Sequence, residues 1–181
     1  YGGLGVVSEV ELELDRNMRI ARTGERVALR DYPAYFAERV LADPDAVLHN
    51  ADLAPPRFDA PVAVTWRRSD DAPTVPARLM PRHADYSRQQ WLIWAASELP
   101  GGDDVREREL TRRVLDEPMV AWRNHEASLD IASLEPHTRM FSTYLLQEYF
   151  IPVAAFLQFA EAIARILRAH AVPAMNVSLR H

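Results

Sequence analysis

The sequence contains no cysteine, no excess of positive charge and no long uninterrupted apolar run. Without cysteine there is no disulfide framework, no thiolate nucleophile and no thiolate metal site, which is typical of a reducing compartment and makes the cytoplasm the expected location. The formal net charge of −5 argues against general binding to nucleic acid, which needs a clustered basic surface. The most apolar stretch, residues 153–172, is interrupted by charged side chains, so the sequence predicts no transmembrane segment.

The length and composition predict one globular domain, or one domain with an appendage, since 48% of the 181 residues are hydrophobic. The chain opens on Tyr1 and a glycine-rich turn without an initiator methionine, and it stops at His181 directly after a predicted strand. We therefore expect it to be a piece of a longer protein.

Hydrophobic periodicity predicts both strands and helices in the first half of the chain. Alternation of apolar and polar residues indicates half-exposed strands, whereas apolar residues three or four positions apart indicate helices. Thr23 and Gly24 predict a break in the second strand. The predicted elements are a strand at 6–14, a strand region at 18–29, a helix at 32–41, and strands at 47–53 and 62–67.

The middle of the chain predicts a proline-rich loop at 70–81 and then two helices, at 88–99 and 104–115. Trp91 and Trp94 form an aromatic stripe on the first of these helices. Such a stripe can contact a membrane surface or a partner, but burial against the sheet is the favoured interpretation because aromatic side chains usually belong to the core.

Residues 119–129 are predicted as an edge strand with an unusual run of polar side chains. Arg123, Asn124, His125 and Glu126 follow Trp122 directly. Two interpretations remain open for this run: it forms a wall of a substrate site, or it is simply the solvated edge of the sheet.

The C-terminal residues 144–181 predict a strand-helix-strand unit around which the rest is arranged. A strand at 144–151 is followed by Pro152, a long amphipathic helix to about residue 171, and a strand at 175–180. A similar unit is predicted near the amino-terminal end. The expected fold class is therefore α+β, with an antiparallel or mixed sheet flanked by helices and built from two split strand-helix-strand units.

Glu148 is the first candidate functional residue because it is a carboxylate inside an otherwise apolar predicted strand. Asn176, Ser178 and Arg180 share one face of the next strand, since side chains alternate along a strand. An unpaired buried charge is costly, so Glu148 must pair with Arg180, point to solvent or contact a ligand. The four side chains form a polar face that a substrate could share.

Metal binding and nucleophilic catalysis are not predicted. His49 with Asp52, and His125 with Glu126 and His137, lack the helical i, i+4 spacing that makes a zinc site recognisable. The serines lack a strand-turn-helix elbow. If the protein has an activity, the residues predict binding and orientation of a substrate, and a cofactor would supply the chemistry.

Three short motifs resemble a known flavoprotein family. The amino-terminal sequence YGGLGVVSEV resembles the end of the FAD-binding domain in flavoproteins of the vanillyl-alcohol oxidase type. The sequences QEYFIP, at 147–152, and NVSLR, at 176–180, resemble substrate-domain strands in the branch that contains sugar-lactone oxidases, alditol oxidases and decaprenylphosphoryl ribose oxidases. The motifs are short, but their order along the chain matches that family.

The resemblance implies a two-domain FAD-dependent oxidoreductase. Residues 1–15 would be the last strand of the FAD-binding domain, and residues 16–181 the substrate-binding cap. The implied reaction is oxidation of a hydroxylated, for example sugar-like, substrate by hydride transfer to the flavin. FAD would be the cofactor, and the N-terminal FAD-binding domain the partner without which this chain alone is inactive.

The resemblance and the residue patterns together give the expected site residues. The alternative function is a non-catalytic α+β ligand-binding or interaction module. The expected residues are Glu148 and Arg180 as catalytic residues, Asn176, Ser178, Arg123, Asn124 and Glu126 as substrate-binding residues, and Tyr1, Gly2, Gly3, Gly5 and Val6 as cofactor-binding residues.

Overall fold

The computed structural model describes residues 5–129, 145–172, 174–175 and 177–180, and this part of the chain forms a five-stranded antiparallel sheet flanked by helices. The strand order is β4-β1-β3-β2-β5. The predicted α+β fold class is therefore confirmed. The strands are β1 (Arg19–Arg26), β2 (Ala46–Leu53), β3 (Val62–Arg68), β4 (Met119–Trp122) and β5 (Val177–Leu179).

Six α-helices connect and cover these strands within the described residues. Two of them continue into wider π-helical turns, α1 into Ala37–Leu41 and α3 into Arg106–Thr111. The predicted helices of the amino-terminal half, the middle and the C-terminal part are all present. The helices are α1 (Tyr32–Phe36), α2 (Ser87–Glu98), α3 (Gly102–Val105), α4 (Arg112–Asp116), α5 (Arg123–Ala127) and α6 (Phe156–Ala169).

Two split strand-helix-strand units interleave in the sheet. β1 and β2 run in the same direction with β3 between them, and β3 and β4 run in the same direction with β1 between them. The first unit, from β1 through α1 to β2, was predicted from the sequence. The second unit runs from β3 to β4, whereas the sequence predicted a second unit at 144–181. β5 instead adds one further strand at the free edge of β2.

One face of the sheet packs against α1 and α6. Residues of α1 and α6 cover the small residues Ala51 and Ala63, which lie directly opposite each other on β2 and β3. Farther along the same face, Leu53 packs with residues of α6. The amphipathic pattern of residues 153–171 buries this side of α6, and the two core clusters contain Val27, Tyr32, Leu29, Phe58, Ala160 and Ala164.

The opposite face packs against α4. Its core cluster contains Ile20 of β1 and, at alternate positions of β3, Val64 and Trp66. Val114 and Leu115 of α4 contact this cluster. Helices therefore cover both faces of the sheet, and its central strand, β3, is buried on both sides.

The structure corrects three sequence predictions. The described parts of the predicted strands at 6–14 and 144–151 have no regular structure, because no neighbouring strand within the described residues offers them hydrogen bonds. Thr23 and Gly24 do not interrupt β1, which runs through them. The predicted edge strand at 119–129 ends at Trp122, and residues 123–127 form α5.

The tryptophan stripe is also less buried than predicted. Trp91 is 54% exposed, and its ring meets that of Trp94 edge to face at 5.4 Å between centroids. The prediction that the stripe is buried against the sheet is wrong for Trp91.

Candidate functional site

A row of polar side chains crosses the α4-covered face near the β5 edge of the sheet. Asp52 of β2 lies directly opposite Ser178 of β5 and, on its other side, opposite Val62 of β3. Arg26 of β1 lies opposite Val62 in turn. Residues directly opposite on antiparallel strands point to the same face, so Arg26, Asp52 and Ser178 share one side of the sheet.

Arg106, the first residue of the π-helical turn after α3, lies near this row. Its guanidinium donates a hydrogen bond from Nη1 to the carbonyl oxygen of Met175, just before β5. Its Nε is buried and has no hydrogen-bond partner among the described residues. Burial lowers the pKa of Arg106, and the carboxylates of Asp103 and Asp52 partly oppose that shift. The Asp52 charge is therefore close enough to act on this guanidinium.

Asn50 and Arg180 join Asp52, Arg106 and Ser178 in a group that we call the β2–β5 polar cluster (Asn50, Asp52, Arg106, Ser178 and Arg180). Arg26 is not included, because its guanidinium is bound to the carboxylate of Glu107. Asn50 lies two positions before Asp52 and hence on the same side of β2. Ser178 and Arg180 are exposed. A carboxylate, an amide, a hydroxyl and guanidinium groups at one sheet edge can donate and accept hydrogen bonds with a hydroxylated ligand.

Sequence reasoning found Ser178 and Arg180 but missed Asn50, Asp52 and Arg106 as members of this group. The alternate positions of Asn50 and Asp52 in a strand rich in apolar residues were a usable signal. Arg106 gave none, because its position over the sheet depends on how the helices pack.

The predicted substrate-wall residues lie on α5, at the β4 edge. Arg123 donates to Asp15, with Nη1 2.6 Å from Oδ2, and the backbone N–H of Asn124 donates to Asn17 Oδ1 at 3.1 Å. These contacts bind α5 to the segment that leads into β1. The side chain of Arg123 and the backbone of Asn124 therefore help to hold the start of the sheet.

His125 and Glu126 are neighbouring titratable side chains on α5, and the charge of Arg22 on β1 acts on Glu126. His125 is only 7% exposed, and its Nδ1 lies 3.5 Å from Glu126 Oε1 without hydrogen-bond geometry. Burial raises the pKa of Glu126, against the opposing attraction of His125 and Arg22. Arg22 itself caps the end of α4 by donating from Nη2 to the carbonyls of Arg113 and Glu117.

A buried polar network occupies the other face of the sheet. His49 Nε2 lies 3.1 Å from the Tyr32 hydroxyl, and His49 Nδ1 lies 2.9 Å from Thr65 Oγ1. Burial lowers the pKa of His49, helped by the positive charge of Arg67, and burial raises the pKa of Tyr32 to about 12. With α1 and Phe156 packed over it, this network holds the core together.

The remaining predicted residues do not join these groups. Glu148 lies in an exposed extended segment, and no ion pair joins it to Arg180 in the part of the chain that the structure describes. The prediction that Glu148 lies in a strand is thus wrong, and its role stays a prediction. Gly5 and Val6 are exposed. Tyr1, Gly2, Gly3 and Asn176 lie outside the described residues.

The sheet separates the two sets of predicted substrate residues. Arg123 and Glu126 follow β4 at one edge, whereas Ser178 lies on β5 at the other. Four interstrand spacings of roughly 4.8 Å put these edges about 19 Å apart. The two sets therefore cannot contact one small substrate in this arrangement.

Two of the described glycines cannot cradle a phosphate. A dinucleotide pyrophosphate usually needs a glycine-rich turn at a helix amino terminus. Gly24 is packed against Val114, and Gly102 against the end of α2, so neither glycine leaves room for a phosphate.

Comparisons with known proteins give no relative for this chain. No family model matches the sequence, and neither the curated proteins nor the solved structures yielded a match. Among the described residues, none of the helices has the length and apolar character needed to cross a membrane.

Proposed function

We propose that this chain is the substrate-binding part of an FAD-dependent oxidoreductase that acts on a hydroxylated, for example sugar-like, substrate in the cytoplasm. The supporting observation is a pair of segments, one before β1 and one before α6, that expose several large apolar side chains. Val6 is 95% exposed, and Leu145 and Phe150 are 92% and 91% exposed. Contiguous exposed apolar surface marks a place where another protein body packs.

These segments are where the resemblance puts the flavoprotein motifs. Residues 6–10 belong to the sequence that resembles the end of the FAD-binding domain, and residues 147–152 form the sequence that resembles a strand of the substrate domain. A second domain would cover them and would hold FAD, whose chemistry is to accept a hydride. This chain would contribute side chains that bind and orient the substrate.

The β2–β5 polar cluster is the best-defined group for that purpose. It contains two of the expected residues, Ser178 and Arg180, beside the carboxylate of Asp52. Glu148 remains the proposed additional contact, because the segment 145–151 leads directly into α6 and could order against a second domain.

The test is the absorption spectrum of the longer protein that the proposal requires, purified with the sequence that precedes Tyr1 in its reading frame. We expect the bands of an oxidised flavin, bleached by the correct substrate. The chain Tyr1–His181 alone should not bind added FAD. A colourless longer protein that stays colourless when FAD is added would contradict the proposal.

The alternative function is a non-catalytic ligand-binding or interaction module. The same exposed apolar segments favour it, since they would equally bind a partner protein. The spectrum separates the two functions, because an interaction module needs no flavin.

A further inference from the structure

An open groove of about 370 Å³ lies between the end of β1, the loop before β3 and α6. Leu29, Phe58 and Ala164 line it, and all three belong to one core cluster. Its volume is within the range of about 300–1,000 Å³ that is usual for small-molecule sites. None of its residues belongs to the β2–β5 polar cluster.

Charged side chains surround this apolar lining. Arg30, Arg57 and Arg168 face two carboxylates, Asp59 and Glu161. Arg57 already engages Asp59, with Nε and Nη2 at 2.9 and 2.6 Å from Oδ2. Among the side chains that line the groove, the remaining charges are two guanidinium groups against one carboxylate, so the lining carries one net positive charge.

Arg168 and Arg30 are the guanidinium groups with spare donors. Arg168 donates from Nη1 to the carbonyl oxygen of Arg57 at 2.6 Å, which fixes its side chain at the rim. Arg30 makes a distant contact with Asp31, at 3.7 Å. An arginine has five N–H donors, so each can still bind a carboxylate.

The backbone that builds the groove is held in an unusual conformation. Phe58 has a φ of 54°, in the left-handed region, although it is not a glycine. Such backbone strain is often found at ligand clamps. Two hydrogen bonds maintain it, from the N–H of Phe58 to Ala54 and from the N–H of Leu29 to Asp59.

We propose that this groove binds a small amphipathic anion, an apolar body with a carboxylate head. The body would lie on Leu29, Phe58 and Ala164, and the head would be bound by Arg168 and Arg30. The proposal is independent of the flavin function, because it uses a different part of the molecule.

Octanoate is the probe, with octanol and acetate as partial probes that keep only the apolar chain or only the carboxylate. Calorimetric titration into the whole chain measures each affinity, and the ¹³C-labelled methyl signal of Ala164 reports the location. We expect saturable octanoate binding that shifts the Ala164 signal, with octanol and acetate at least about tenfold weaker. Octanol binding as tightly as octanoate, or octanoate binding without an Ala164 shift, would overturn the proposal.

Single substitutions test the two arginines. Arg168→Gln and Arg30→Gln should each weaken octanoate binding about five- to tenfold, as expected for loss of one charge-assisted hydrogen bond. Arg165→Gln removes the same charge from an exposed position on α6 outside the groove lining, and it should leave the affinity unchanged. Arg168→Gln also removes the hydrogen bond to the carbonyl oxygen of Arg57 and can disturb the loop before β3. Arg30→Gln leaves that hydrogen bond in place and therefore tests the proposal independently. An equal loss in Arg165→Gln would show general attraction to charge and contradict the proposal.

Discussion

The carbonyl oxygen of Val114 lies 2.5 Å from the point that a Cβ atom on Gly24 would occupy. Val114 belongs to α4 and Gly24 to β1, so this contact sets how closely α4 lies on the sheet. Any side chain at residue 24 would have to push the backbone of α4 away. Glycine inside a strand often marks such a close backbone approach.

Gly24→Ala should therefore destabilise the protein. Forcing α4 off the sheet is overpacking of a filled core, which costs about 1–3 kcal/mol. Urea unfolding followed by circular dichroism measures the free energy of unfolding. Glu25→Ala, at the exposed next residue of β1, is the control and should change it by less than about 0.5 kcal/mol. Equal values for the two variants would contradict the role of this contact.

Gly24 also shows what local sequence rules could and could not predict. By local rules a glycine inside a strand pattern indicates a break in the strand. Those rules do not take account of α4, whose carbonyl oxygen lies so close that residue 24 has no room for a side chain. The strands at 46–53 and 62–68 and the helix α6 were predictable, since their periodicity reflects burial on faces that the structure confirms.

The segments 6–14 and 144–151 have strand patterns equal to those of β2 and β3, yet their described residues are unpaired. A strand depends on a neighbour that supplies hydrogen bonds, which a local pattern cannot guarantee. The β2–β5 polar cluster was only half predictable for a similar reason. Asp52 and Ser178 become neighbours through strand register, and Arg106 joins them through helix packing.

His49 should make stability depend on pH. Its pKa is lowered from the usual 6.5 by burial and by Arg67, so the fold favours the neutral imidazole. As the pH falls below 6.5, His49 takes up a proton in the unfolded chain before it does so in the folded chain. The stabilisation that neutral His49 gives to the native state is therefore complete above pH 6.5 and is lost as the pH falls to the folded pKa.

The variant His49→Gln has no titrating ring at this position. We expect the fall in urea midpoint between pH 6.5 and the folded pKa to be shallower in the variant than in the native protein. His170→Gln, at an exposed position, controls for the loss of any histidine. A slope equal to the native one would mean that His49 protonation is not linked to folding.

Trp91 should provide most of the tryptophan emission that iodide can quench. It is the exposed member of the stripe, whereas Trp66 is buried in the core. The variant Trp91→Phe should therefore show a smaller quenchable fraction than the native protein, and Trp66→Phe a larger one. An unchanged fraction in Trp91→Phe would mean that the indole is covered in solution, as the sequence originally predicted.

Glu126 should show the opposite pH dependence from His49. Burial raises its pKa above the usual 4.5, so the fold favours the protonated carboxyl. As the pH rises through the interval from 4.5 to the folded pKa, the unfolded chain loses its proton first and the native state loses stability. The effect of burial on this pKa exceeds the opposing effect of His125, because the distance of 3.5 Å from Glu126 Oε1 to His125 Nδ1 is too long for a good hydrogen bond.

Glu126→Gln keeps the shape of the side chain and removes the charge. We expect the variant to gain stability relative to the native protein as the pH rises above 4.5, with a constant difference below it, measured as urea midpoints at several pH values. Glu98→Gln, at an exposed position of α2, is the matched control for the loss of one carboxylate. If Glu126→Gln instead loses stability at neutral pH, the attraction of His125 and Arg22 outweighs the cost of burying the carboxylate, and Glu126 is a stabilising partner in the α5 contact.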